Sequence, residues 1–201
     1  MKRWLAACLA RLLAPRVVYG FRHADGRWLA HTRVSTHTHI GTPAQLDIGD
    51  HVFIGHFNLI DASGGLRIGE GCQITNYVSV LTHSSHDAVR LMGRAYWGAR
   101  EHVGRLQRAT ELGDYCFVGP HSVIAPGARL GRGVLVQAYC HVQGEVPDFA
   151  VLAPGAPGEP ARIVGDTRRR DAPWLLRHPQ VRAHYEAWAG KLGPEWSRDE
   201  G

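Results

Sequence analysis

The chain has 201 residues, 44% of them hydrophobic, and a net charge of +5. That is enough for one domain with short extensions, and the composition is ordinary for a water-soluble fold. The positive charge is mostly scattered arginine, clustered only near Arg162 and at Arg168, Arg169 and Arg170, with no basic stripe interleaved with aromatics, so nucleic acid is not an expected partner.

Residues 1–14 predict an amphipathic helix that ends before Pro15. Leu5, Ala6, Ala7 and Cys8 imitate a lipoprotein cleavage box, but only Trp4 and Leu5 separate it from the basic residues, far short of the ~7–15 apolar residues that a signal core needs. Packing on the domain or between subunits is the expectation for this helix, with peripheral contact at the inner face of a membrane as the lesser one. Residues 17–39 read as an irregular lead-in with β-prone pieces such as Arg33, Val34 and Ser35.

A period of six then takes over. Ile48, Ile54 and Ile60 step by six, Ile68, Ile74 and Val80 follow after a two-residue slip, and Leu112, Val118, Ile124, Leu130, Val136 and Val142 continue it further on. Four residues after each member of the last run comes something small or slim: Cys116, Ser122, Ala128, Val134, Cys140 and Val146. Neither a helix nor a two-residue strand alternation has this period; it is that of a hexapeptide-repeat β-helix. Three hexads close a coil of about 18 residues, and coils stack at the ~4.8 Å strand spacing. Glycine one residue later (Gly49, Gly55, Gly69, Gly113, Gly119, Gly131) is expected to serve tight corners through its backbone freedom. Cys72, Cys116 and Cys140 fall on core-facing positions and are expected to be reduced and structural, which suits the cytoplasm.

Between Val80 and Leu112 the register breaks, so residues 82–111 form an expelled loop carrying Ser84, Ser85, His86, Arg90, Arg94, Tyr96 and Trp97. A long unpatterned loop inside a compact repeat is usually functional. A Pro- and Gly-rich stretch from Ala153 to Pro160 ends the coils, and Val181, Tyr185 and Trp188 share one face of a short closing helix. The expected organisation is a lead-in over 1–39, a β-helix over 40–166 and a helical tail over 167–201.

With coils, an expelled loop and histidines at its root, the chain resembles the hexapeptide-repeat acyltransferases, closest to galactoside, maltose and polysaccharide O-acetyltransferases. The resemblance rests on Phe57-Asn58-Leu59, on the run Leu81-Thr82-His83-Ser84-Ser85-His86-Asp87, on Val118-Gly119-Pro120 through Pro126-Gly127, and on Pro160-Ala161-Arg162. It implies an all-β, left-handed parallel β-helix with short N- and C-terminal helices, working as a homotrimer with active sites between subunits. It also implies acetyl-CoA as acyl donor and a saccharide acceptor. His86 matches the loop histidine that serves as general base, with His83 the rival three residues earlier; an imidazole titrates near working pH.

The resemblance further places Phe117, Gly119, Gln137 and Ala138 along the coenzyme A groove, and Arg162 at its phosphate end. For the acceptor it singles out His56 and Asp61, the latter also readable as a cap of its own turn, while Tyr96 and Trp97 could stack on a sugar or anchor the loop. Pro120 departs from galactoside-type members, because it has no N–H to offer a thioester oxygen. No metal is expected: a carbonic anhydrase of this class would need a second histidine five residues after His121, where the chain has Pro126. An antibiotic O-acetyltransferase and a non-catalytic scaffold are the rival readings.

Overall fold

The computed structural model describes residues 9–11 and 13–193. Leu9, Ala10, Arg11 and Leu13 are helical, and the rest of the expected N-terminal helix, with its cleavage-box mimic, lies outside the described residues.

The lead-in is more regular than its sequence suggests. Val17–Arg22 and Trp28–Ser35 form an antiparallel hairpin, closed by a turn through Asp25 and Gly26. Gly26 has φ +92°, which only glycine adopts freely. His23, buried in this turn, lies 2.9 Å from Asp25 and 3.2 Å from Asp47, tying the hairpin to the first coil. The second hairpin strand then joins the coils directly, Arg33 and Val34 pairing in parallel with Phe53 and Ile54.

From there the chain winds through three parallel sheets in strict rotation. One face carries Phe53–Ile54, Gln73–Ile74, Phe117–Val118 and Leu135–Val136; the second carries His39–Gly41, Leu59–Asp61, Ser79–Val80, Val123–Ile124 and His141–Val142. The third carries Leu46–Ile48, Leu66–Ile68, Thr110–Leu112, Arg129–Leu130 and Glu145–Val146. The six-residue aliphatics all point inward: Ile48, Ile54, Ile60, Ile68, Ile74, Val80, Leu112, Val118, Ile124, Leu130, Val136 and Val142 are buried. So are Cys116, Ser122, Ala128, Val134, Cys140 and Val146 in the narrower slots between them. Burying each large aliphatic side chain contributes about 1.5–3 kcal/mol, so this column supplies most of the drive to fold.

The predicted glycines are needed for a reason other than backbone freedom. None of Gly49, Gly55, Gly69, Gly113, Gly119 and Gly131 has a positive φ. A Cβ there would meet the next coil instead, 2.6 Å from Ala138 N at Gly119 and 2.6 Å from Arg132 N at Gly113. The left-handed corners fall two residues later and are mostly non-glycine: His51, Phe57, Tyr77, Tyr115, His121, Tyr139 and Phe149 all have φ between 57° and 62°. Such a conformation costs roughly 1 kcal/mol or more per residue. At one corner the rings recover part of it by stacking, Phe57 on Tyr77 at 5.2 Å, Tyr77 on His121 at 5.0 Å and His121 on Tyr139 at 4.9 Å.

The outer surface of the third face holds one column of alternating charge, Asp47, Arg67, Glu111, Arg129 and Glu145, each directly beside the next. The outer column of the first face is less polar, with Phe53, Gln73, Phe117 and Leu135. After the coils an antiparallel strand, Arg162–Asp166, leads into the helix Thr167–Arg177, capped by Asp166, which accepts a 2.8 Å bond from the Arg168 N–H. The closing helix Arg182–Ala189 lays Trp188 on Tyr115 at 4.5 Å.

Candidate active site

The excursion between the coils is an arm on a two-stranded stalk. Leu66 pairs with Thr110 as if nothing intervened, so the ladder stays continuous across it. The stalk pairs His83 with Gln107 and Ser84 with Leu106. Above it lie the helix His86–Met92, the turn Gly93–Tyr96 and a return segment. Ala88 is fully buried against Gly104, whose Cβ would lie 3.2 Å from Ala88 N. Tyr96 packs on His102 at 4.3 Å and Trp97 stands 81% exposed.

At the root of the stalk the chain brings together two of the predicted residues. His83 Nδ1 lies 2.7 Å from Asp61 Oδ2 and 3.0 Å from Ser63 Oγ. The Asp61 carboxylate is buried and held from three sides: Thr82 donates from its N–H at 3.0 Å and its hydroxyl at 2.7 Å, and the Ser63 N–H donates at 3.0 Å. Burial pushes the Asp61 carboxyl up, but the bonds from Thr82 and Ser63 outweigh it and hold the group well below the usual carboxylate range. An ionised Asp61 makes Nδ1 the protonated nitrogen of neutral His83 and leaves Nε2 with its lone pair. Among the described residues Nε2 has no hydrogen-bond partner. This is the arrangement of a base steered by a carboxylate.

His86 is differently placed. Its Nδ1 lies 2.7 Å from Ser84 Oγ and its Nε2 3.3 Å from Asp87 Oδ2, so its polar contacts are with neighbours in sequence. Asp87 in turn pairs with Arg90.

The remaining candidates are spread over other parts of the fold. His56 sits at the aromatic corner with Nδ1 2.6 Å from Ser35 Oγ. Tyr96 and Trp97 are on the arm beyond the helix, their rings 5.5 Å apart. Phe117 is 40% exposed on the first face, and Gly119 packs on Gln137 and Ala138 of the next coil, so these four share one edge of the coils. Arg162 opens the edge strand opposite Ala153 and is exposed. The Gly119 N–H is taken by Val136 O at 2.8 Å and the His121 N–H by Asn76 O at 3.4 Å, and Pro120 has no N–H, so residues 119–121 offer no free amide to a thioester oxygen. Ser63, Thr82 and Gln107, whose amide donates to Ser63 O at 2.6 Å, were absent from the sequence candidates. The Asp61-Ala62-Ser63 spacing, a side-chain turn signal, could have flagged Ser63.

Comparison with known proteins bears on the repeat. Residues 109–144 match the family described as bacterial transferase hexapeptide (six repeats). This is a hexapeptide-repeat chain. The hexapeptide-repeat chain is 26% identical over 141 residues to serine acetyltransferase 4 of Arabidopsis thaliana, covering 70% of its own length and 35% of that protein. It spans less than half the length of the curated relatives it matches. Among solved structures, the N-acyltransferase AntD from Bacillus cereus, in complex with dTDP and 3-hydroxybutyryl-CoA, superposes with a TM-score of 0.57 at 18% identity, over 75% of this chain and 88% of that one. A maltose O-acetyltransferase from Clostridium difficile 630 gives 0.52 at 17% identity, over 65% and 64%. At these identities the hexapeptide-repeat chain shares their fold. Among its described residues no helix is long and apolar enough to cross a membrane.

Proposed function

We propose that the protein is an acetyl-CoA-dependent O-acetyltransferase, acting on a sugar hydroxyl of a saccharide, polysaccharide or precursor, with His83 as general base. The observation that carries this reading is the 2.7 Å contact of His83 Nδ1 with an ionised, buried Asp61, which leaves Nε2 open at the root of the arm. Acetyl transfer is further supported by the likeness to a serine acetyltransferase. The sugar acceptor rests on the motif resemblance of Leu81 to Asp87, and so do the left-handed winding, the trimer and the cytoplasmic setting.

In this mechanism Asp61 keeps the Nδ1 proton on its own side of the ring. His83 Nε2 accepts the acceptor hydroxyl's proton as its oxygen bonds to the thioester carbonyl carbon. Collapse of the tetrahedral adduct breaks the carbon–sulfur bond, and the departing thiolate takes the proton back from Nε2. No acyl group is carried by the enzyme. The donor lies along the edge lined by Phe117, Gly119, Gln137 and Ala138, with Arg162 at its phosphate end; His56, Tyr96 and Trp97 are left to contact the acceptor.

The test is thiol release from acetyl-CoA against a panel of sugars, nucleotide sugars and chloramphenicol. Acceptor-dependent release that falls about 10²–10⁴-fold in His83→Ala is the expected result. Release that survives this change and collapses in His86→Ala would move the base to His86. Preference for chloramphenicol would replace the sugar with an antibiotic, and coenzyme A binding without turnover of any acceptor would favour a scaffold.

A further inference from the structure

The helices Thr167–Arg177 and Arg182–Ala189 leave a cleft against the coil corner that carries Tyr115 and Phe149. It is an open cleft of about 760 Å³, room for a small organic molecule, and its walls include Tyr115, Trp174, Tyr185 and Trp188. None of the residues that line it belongs to the dyad or to the edge of Phe117, Gly119, Gln137 and Ala138.

Its charge is opposite to that of its surroundings. The two helices carry Arg168, Arg169, Arg170, Arg177 and Arg182, yet among the described residues no arginine lines the cleft. Arg177 lies over the Trp174 ring at 4.3 Å, and Arg182 reaches Glu186 at 3.6 Å. Among the described residues that line the cleft, Asp171 is the one carboxylate, and His184 is the one basic side chain. Beside it the Tyr185 hydroxyl oxygen is wholly buried and faces the Asp171 carboxyl. Burial raises the Asp171 carboxyl above the usual range, an effect that the Tyr185 hydroxyl and Arg170 oppose. An apolar, aromatic-walled space with one under-compensated carboxyl is complementary to a cation with an apolar body.

We propose that this cleft binds an organic ammonium ion, a substituted amine whose charge lies against Asp171 and whose apolar body fills the space between the aromatic walls. An inorganic cation would leave those walls uncovered, and an anion would face Asp171 unpaired.

Benzyltrimethylammonium is the probe and benzyl alcohol its uncharged counterpart, titrated into the full chain by calorimetry. The proposal predicts saturable binding of the ammonium, at least tenfold tighter than the alcohol, and at least tenfold weaker in Asp171→Asn. Ala187→Trp, at an exposed position on the cleft wall, keeps Asp171 and should abolish binding by filling the space. If Asp171→Asn does not fold, this second variant decides, its helical circular dichroism matching the parent. Equal affinity for both probes, or undiminished binding in either folded variant, would overturn the ammonium site, as would no saturable binding.

Discussion

Asp61 and Thr82 stand on neighbouring coils and are joined twice, the Thr82 N–H and hydroxyl both donating to the same carboxylate oxygen, Oδ2. That hydroxyl also accepts a 2.8 Å bond from the Gly64 N–H. Thr82 is fully buried, so none of these groups can turn to water instead. Thr82→Val keeps the shape and removes the hydroxyl, stranding the Gly64 N–H and half-releasing Asp61. It should cost about 1–3 kcal/mol in urea unfolding. On the proposed mechanism it should also lower kcat several-fold while leaving KM for acetyl-CoA unchanged, because the imidazole is less firmly steered.

Replacing the carboxylate itself should be more severe. Asp61→Asn keeps the volume but no longer dictates which ring nitrogen of His83 carries the proton. A loss of roughly 10²–10⁴ in kcat is expected, as for other steered histidines. His86→Ala, which removes a ring tied to Ser84 and Asp87, should stay within about threefold of the parent. Steady-state rates of the two variants side by side would separate the histidines.

The same carboxylate makes a signed prediction about acid. Its folded pKa is depressed, so its contribution to stability is fully present above the unfolded value of about 3.9 and is lost as pH falls through the folded value. The stability gap between parent and Asp61→Asn should therefore be widest near neutrality and narrow below about pH 4. A gap that widened with acid would contradict the hydrogen bonding described. Unfolding curves at a series of pH values provide the check.

Two glycines should respond to alanine for different reasons. At Gly119 the new Cβ would sit 2.6 Å from Ala138 N, forcing stacked coils apart, and a loss of about 1–3 kcal/mol is expected. At Gly26 nothing lies within 4 Å and only the φ of +92° is strained, so about 1 kcal/mol should be lost. Chemical denaturation of both variants would rank them.

Cys72, Cys116 and Cys140 are buried, and the Cys116 thiol is pushed up by neighbouring Cys72 and by burial. A thiol reagent should titrate at most one of the four cysteines quickly in the native protein and all four in denaturant. Rapid native reaction of two or more would mean that the coils open.

The aliphatic ladder was legible in sequence because a triangular interior repeats its demands every six residues, and Ile48 to Val142 obey it. The hairpin of residues 17–35 was not recognised, although Asp25-Gly26 is a turn signal, because its strands lack clean alternation. The aromatic corner was hidden for another reason: Phe57, Tyr77, His121 and Tyr139 become neighbours only once the slip and the arm are taken out of the numbering. The glycines were identified correctly by residue, but their constraint comes from the adjoining coil and not from their own dihedral angles. In the site, the histidines at 83 and 86 are equivalent as letters. What distinguishes them is a carboxylate one coil back, and no local motif reports which ring reaches it.

The charge column on the third face acts as a parity check on assembly. Asp47, Arg67, Glu111, Arg129 and Glu145 alternate in sign, so correct stacking sets every charge beside its opposite. A chain that skipped one coil would still match isoleucine to valine in the interior, where one hexad resembles another. Outside, it would set Arg129 beside Arg67 or Glu145 beside Glu111. Like charges directly opposite on a sheet are unfavourable, so the exterior supplies the positional information that a repetitive core lacks.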